Sequence, residues 1–206
     1  MFFKLKGRDV VIIGGGLVGL RKVQQLLSTG ANLTIVSERI DDELATLCHE
    51  TDTKLVKCRY SKDYLSGATL VIAATNDHEL NRQIYKDCQE LSLFCNVVDV
   101  PQLCNFFIPA VVKRGNLQIA VSTEGDCPAY AKHLRKKLER MFTDRHGEFL
   151  TELKTVRELI IKTVPDISDR KVLLQQLVDD KSFECFIDKG SQAWRAYAAE
   201  IMENKE

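Results

Sequence analysis

The stretch from Val10 to Lys22, VVIIGGGLVGLRK, restricts the fold of this chain more than any other segment. Val10 to Ile13 is an unbroken apolar run, the pattern of a strand buried on both faces. Gly14-x-Gly16-x-x-Gly19 follows at once, and apolar residues then recur at helical spacing from Leu17 to Leu27 until Gly30 stops them. Between a strand and a helix, each glycine has a mechanical task. Gly14 permits the tight turn, Gly16 lets backbone approach a pyrophosphate, and Gly19 lets the helix pack closely on the strand. The N–H groups of Leu17 and Val18 open the helix, where unpaired donors and a positive partial charge favour phosphate. A tight turn with no ligand is the competing reading of the glycines taken alone.

The rest of the first half repeats the alternation. Strands are expected at Leu33–Val36, Lys54–Lys57, Leu70–Ala74 and Phe94–Val98. Helices are expected at Asp41–Glu50 and His78–Leu91, the latter with Leu80, Ile84 and Cys88 on one face. Strand and helix in alternation mean a parallel sheet with helices on both faces, an α/β, Rossmann-like domain over residues 1–112. After Pro101 the pattern changes. Phe106–Val112 and Leu117–Ser122 read as two strands joined by a turn at Lys113-Arg114-Gly115-Asn116. From Tyr130 the chain is helical, interrupted only at Gly147, Pro165 and Gly190. Leu134, Leu138 and Met141 form one stripe, and Phe149, Leu153, Val156 and Ile160 another. We therefore expect a strand-pair and helix region over 113–145 and a C-terminal helical domain over 146–206, the latter holding Trp194 and Tyr197.

Candidate cofactor residues follow from this layout. A Rossmann domain usually carries an acid about 20 residues beyond the glycines to bind ribose hydroxyls. Here Ser37 stands where that acid is common, followed by Glu38 and Arg39. Glu38 favours NAD and Arg39 is suited to a 2′-phosphate; we expect NAD. Ala74 and Thr75, small residues after the fourth strand, leave room beside ribose and nicotinamide, and Asn76 or Asp77 is placed to cap the next helix. Asp99 ends the fifth strand, in Asn96-Val97-Val98-Asp99-Val100-Pro101. As a residue type it reads as a turn former. By position, at the carboxyl end of a parallel strand, it reads as a general base at the ligand crevice.

Composition excludes several classes. Lys+Arg and Asp+Glu both number 29, so net charge is zero and gives no general case for nucleic acid or a membrane surface. No stretch reaches the roughly 18 apolar residues of a membrane span, and MFFKLKGRDV lacks the plan of a signal peptide. The 7 cysteines, an odd number without C-x-x-C, indicate reduced thiols and a cytoplasmic protein. Cys95, Cys104 and Cys127 have no metal-ligand spacing, and His133 and His146 read as ordinary helix residues, so no metal site is expected. The densest basic set is Lys113, Arg114, Lys132, His133, Arg135, Lys136, Lys137 and Arg140. It suits a polyanion, or is a solvated helix face.

The segments GGGLVGLRKVQQLLSTGANLTIVS, VIAATNDHELN and FCNVVDVPQLCNFFIPAVVKRGNLQIAVST, followed by a helix led by Pro128, occur in one order. Over roughly residues 1–145 the chain resembles the precorrin-2 dehydrogenase/sirohydrochlorin ferrochelatase family of siroheme synthesis. The resemblance implies NAD-dependent oxidation of the tetrapyrrole precorrin-2 to sirohydrochlorin. In bifunctional members it also implies insertion of Fe2+ (or Co2+) as a chelatase substrate. It implies a homodimer joined through the strand pair and following helices, Asp99 as the functional aspartate, and Asn96, Ser122, Thr123, Lys113 and Arg114 on the side of the substrate. Two positions depart from the family pattern: Glu124 replaces a glycine and Cys127 replaces the serine before Pro128. An NAD(H)-sensing regulatory module is the alternative function. A sensor needs no base at the fifth strand and usually ends its second strand in a firm acid; Ser37 and Asp99 both favour the enzyme.

Overall fold

The structure is a computed structural model and describes residues 2–203. It divides into two compact units, the first ending at Ile108 and the second starting at Pro109. The first unit contains β1 (Asp9–Gly15), α1 (Leu17–Leu27), β2 (Asn32–Ile40), α2 (Asp42–Glu50), β3 (Lys54–Val56), β4 (Leu70–Ala73), α3 (His78–Glu90) and β5 (Phe94–Val97). All five strands are parallel, in the order β3-β2-β1-β4-β5. The apolar run of β1 lies at the centre, with Val10–Ile13 registered against Leu33–Val36 and Leu70–Ala73.

Strand alternation sends these residues to two cores. Val10, Ile12, Leu33, Ile35, Leu70 and Ile72 pack with Leu20, Val23 and Leu26 of α1 and Leu44 of α2. Val11, Ile13, Val36, Val71, Ala73 and Val97 pack on the opposite face with Ile84 and Cys88 of α3. Burial on both faces is why Val10–Ile13 of β1 and all of β4 carry no polar residue. The helix starts are marked in sequence: Asp41 accepts from Glu43 N–H at 3.0 Å, and Asp77 accepts from Glu79 and Leu80 N–H at 2.9 and 3.0 Å. The direction in which strands are added to the sheet reverses between β1 and β4, since β2 and β3 lie to one side and β4 and β5 to the other. That switch point opens a crevice at the carboxyl ends of the strands.

The strand expected over Phe106–Val112 begins instead at Ala110. Residues 104–106 run back along β5. Asn105 N–H donates to Cys95 O at 3.0 Å, the Asn105 Oδ1 accepts from Cys95 N–H at 2.7 Å, and Asn96 Nδ2 donates to Phe106 O at 3.0 Å. Phe106 and Ile108 pack on the core beneath α1. Their alternating apolar pattern therefore serves the first unit, and the unit ends at Ile108 instead of the expected 112.

In the second unit, β6 (Ala110–Arg114) and β7 (Leu117–Val121) form an antiparallel hairpin. Lys113 and Arg114, expected in the turn, are strand residues; the turn is Gly115-Asn116, with Gly115 at φ +57°. Four helices follow: α4 (Pro128–Met141), α5 (Asp144–Thr163), α6 (Ile167–Gln176) and α7 (Asp180–Glu203), the last broken at Gly190, where φ is +81°. Gly147 does not interrupt the helices as expected. It lies inside α5, where a Cβ would come within 2.5 Å of Arg114 O, so it lets the helix touch the hairpin backbone. Phe149, Val156 and Ile160 build the core of this unit with Leu177, Phe186 and Trp194. Trp194 Nε1 donates to Ser182 Oγ at 2.8 Å, and that hydroxyl donates to Leu177 O at 2.8 Å, so the buried polar groups are satisfied. Residues 113–145 and 146 onwards thus share one unit, because α5 packs against both hairpin strands. The other stripe is not core: Met141 is 66% exposed and Leu134 and Leu138 are half-buried.

Candidate active site

The glycine loop sits at the switch point. Gly14 has φ +123°, and a Cβ there would lie 2.4 Å from Ala74 O on the neighbouring strand. A Cβ on Gly19 would lie 2.3 Å from Gly14 O, and one on Gly15 would lie 2.3 Å from Arg39 O. These three glycines are required by backbone contact inside the protein. Gly16 differs: a Cβ there would meet nothing within 4 Å. It is the N-cap of α1, no side chain caps that helix end, and its first turn has no acid. Space above Gly16 and uncapped N–H groups at Leu17 and Val18 fit a dinucleotide pyrophosphate. The space belongs to a cleft of about 1050 Å³ that extends from the loop to Glu38, Arg39 and Arg59.

At the far end of the cleft, Ser37 Oγ donates to Arg39 O at 2.7 Å, which consumes its proton. The acid is Glu38, whose Oε1 accepts from Arg59 Nε at 2.9 Å. Arg59 comes from the segment after β3 and was not among the residues expected in the site. Tyr60 follows it and donates to Asp87 Oδ2 at 2.7 Å; burial first, and Asp87 second, push its phenol far above the usual value.

Ala74 and Thr75 line the near wall. Thr75 Oγ1 donates to Asn81 Oδ1 at 2.7 Å, and Asn81 Nδ2 donates back to Thr75 O at 3.0 Å. Buried Asn81, also unforeseen, braces the loop from α3. Gly14, Gly16, Leu17, Val18, Ser37, Glu38, Arg39, Ala74 and Thr75 all line one cleft, and Gly19 supports it from behind.

Asp99 lies one strand further on. Val100 N–H donates to Val97 O at 3.2 Å, closing a turn in which Asp99 has φ +61°. The left-handed region suits Gly, Asn and Asp, so the turn-forming reading of Asp99 is physically sound. Its side chain is exposed, and among the described residues no hydrogen bond holds the carboxylate. It has a neighbour that no motif announced. Lys22, half-buried on α1, has its amine lowered by burial, while Asp99 and then the Cys104 sulfur act in the opposite direction. The Asp99 carboxylate thus lies within electrostatic reach of a cation. Asn96, by contrast, has its amide N–H groups directed to Phe106 O and, at 3.4 Å, to Cys104 Sγ. It positions the segment beyond the turn.

The remaining expected residues lie in the second unit. Arg114 Nε donates to Phe142 O at 2.8 Å and its other nitrogens to Glu139 O and Lys113 O at 3.0 Å each; Asp144 lies 3.5 Å away. That guanidinium clamps β6 to the end of α4. Lys113 points to solvent. Ser122 Oγ accepts from Glu124 N–H and Thr123 Oγ1 from Cys127 N–H, each at 3.2 Å. Both hydroxyls shape the loop leading into α4. Glu124 has φ +52°, the backbone that a glycine would adopt without strain.

Among the described residues, no group of three or more His, Cys, Asp or Glu side chains is placed to hold a metal ion. His146 accepts from Thr143 N–H at 3.1 Å as part of a helix cap. No described helix is long and apolar enough to cross a membrane.

A family described as "Putative NAD(P)-binding" matches residues 1–110, and one described as "Sirohaem biosynthesis protein central" matches residues 114–141. The chain is 34% identical over 184 residues to a siroheme synthase of Psychrobacter sp. (strain PRwf-1), covering 89% of this chain and 38% of that protein. It is 38% identical over 197 residues to siroheme synthase 2 of Aeromonas salmonicida, covering 95% and 40%. It is 39% identical over 171 residues to a siroheme synthase of Pseudomonas putida (strain W619), covering 83% and 37%. The chain thus spans about two fifths of the length of these curated relatives. A solved structure titled "SirC, precorrin-2 dehydrogenase" shares the fold, with a TM-score of 0.76 at 22% identity over 97% of this chain and 98% of that one.

Proposed function

This chain belongs to the family described as "Putative NAD(P)-binding", and from that premise, with siroheme synthases among its relatives, we propose that it oxidises precorrin-2 to sirohydrochlorin with NAD. The observation that carries the reading is an uncapped glycine-loop cleft in the same sheet as a free carboxylate, Asp99, at the carboxyl end of the next-but-one strand from β1. When bound, NAD supplies a hydride acceptor. The chain supplies the rest. The N–H groups at the start of α1 hold the pyrophosphate, Glu38 receives ribose hydroxyls, and the braced Ala74-Thr75 loop keeps the wall beside the nicotinamide small. Dehydrogenation removes a hydride and a proton from the macrocycle. Asp99 takes the proton and releases it to solvent, which balances precorrin-2 and NAD against sirohydrochlorin, NADH and a proton. Lys113, on the exposed face of the hairpin, offers a cation to a substrate carboxylate. Sirohydrochlorin absorbance is expected from precorrin-2 only when NAD is present, with NADH formed in equal amount. Turnover of precorrin-2 without NAD, or none with it, would overturn the reading.

Insertion of Fe2+ or Co2+ into sirohydrochlorin is the second activity we propose for the same site. The unbonded Asp99 carboxylate favours it, because metal insertion requires a base for the pyrrole protons, and the macrocycle nitrogens are the final ligands. The chain also forms a homodimer through the hairpin and α4 in this proposal. The solvent face of a two-stranded sheet with unpaired edges carries Val111, and α4 exposes Tyr130 and Met141 at 55% and 66%. Sedimentation should show a dimer; a monomer independent of concentration would remove this claim. The free thiols suit the cytosol.

A further inference from the structure

We propose that Arg59 is the specificity-determining residue at the ribose end of the cleft: held by Glu38 it favours NAD, and released it receives the 2′-phosphate of NADP. The inference rests on the reading of the cleft as a dinucleotide site. The sequence pattern suggests only Glu38 and Arg39 at this end, as acid and candidate phosphate partner. The structure adds a second arginine, and it is Arg59 whose Nε lies 2.9 Å from Glu38 Oε1. Both side chains are largely in solvent, at 87% for Arg59 and 59% for Glu38, and both line the cleft with the glycine loop.

The pair has two consequences. Bonding through Nε to one carboxylate oxygen leaves the other oxygen as an acceptor for a ribose hydroxyl, as NAD requires. The same carboxylate repels a 2′-phosphate, and it takes up the Nε–H and offsets the charge of the guanidinium that would bind it. An exposed ion pair is weak, so the arrangement is reversible. Removing the charge of Glu38 therefore does more than remove a repulsion. It frees a guanidinium already at the ribose, and a guanidinium binds phosphate through paired, charge-assisted hydrogen bonds. Arg39 lines the same cleft, but among the described residues only Arg59 pairs with Glu38.

The experiment is titration of the full chain with NADH and with NADPH, followed by nicotinamide fluorescence, in the wild type, Glu38→Gln, Arg59→Gln, Arg39→Gln and the Glu38→Gln/Arg59→Gln and Glu38→Gln/Arg39→Gln double variants. The wild type should bind NADH more tightly than NADPH. Glu38→Gln should tighten NADPH about ten- to hundredfold, the range of a charge-assisted hydrogen bond. That gain should vanish in the Glu38→Gln/Arg59→Gln variant and persist when Arg39→Gln is combined with Glu38→Gln. A gain that survives loss of Arg59, or disappears with Arg39 instead, overturns the proposal while the cleft still binds NADH. A wild type that binds neither nucleotide overturns the reading of the cleft itself, and the proposal with it.

Discussion

Asp99→Asn is expected to keep the melting temperature and NADH affinity of the wild type while dehydrogenation falls by roughly 10²–10⁴-fold, the range of a lost general base. The substitution is unusually clean at this position. Asp99 occupies the left-handed region at φ +61°, and asparagine is at least as tolerant of it as aspartate. Size is conserved, and no described hydrogen bond to the carboxylate is lost. The glycine loop is untouched, so the cofactor cleft should bind as before. What disappears is a group able to take a proton and carry charge, together with the counter-charge felt by Lys22. Metal insertion should fall as well, if the same carboxylate receives the pyrrole protons. An Asn variant with wild-type turnover would leave Asp99 as a turn residue and place the base elsewhere. A variant with a lowered melting temperature would show instead that the carboxylate supports the fold.

The cleft was legible in sequence wherever its requirement is local. A strand buried on both faces, a glycine turn and a helix start are properties of thirteen consecutive residues, and the structure places all three where the pattern does. Capping by Asp41 and Asp77 is equally local. Partnerships formed across the chain left no such signal. Arg59 meets Glu38 from 21 residues away, and Arg114 reaches carbonyls 25 and 28 residues on. Lys22 acquires its surroundings only when Asp99 and Cys104, beyond β5, come within electrostatic reach of α1. Apolar periodicity also misleads where it has two explanations. Phe106 and Ile108 alternate as in a strand, yet they alternate because both anchor the segment leaving β5. Gly147 looked like a helix break, whereas it is a close approach between helix and hairpin. A glycine in sequence marks an absent Cβ without saying which neighbour requires the absence.

That distinction makes Gly16→Asp the decisive test of the cleft, with loss of measurable NADH binding in a fully folded protein. At Gly14, Gly15 and Gly19 a Cβ would sit 2.3–2.4 Å from a backbone oxygen, so substitutions there damage the fold and report little about ligand. Gly16 has φ −89°, which every residue tolerates, and open space where a Cβ would project. Aspartate is also a favoured N-cap, worth about 0.5–2 kcal/mol over alanine at such a position. Its carboxylate would accept from the N–H groups at the start of α1, which are the groups a pyrophosphate needs. The variant should therefore melt at or above the wild-type temperature, because the helix gains a cap that it lacks. It should fail to bind NADH, because one carboxylate both fills the space and satisfies the donors. Gly16→Ala adds bulk without charge or a cap, and should weaken NADH binding less. NADH titration and thermal melting of the two variants separate these effects. Wild-type affinity in a folded Gly16→Asp protein would mean that the pyrophosphate does not lie over this helix start.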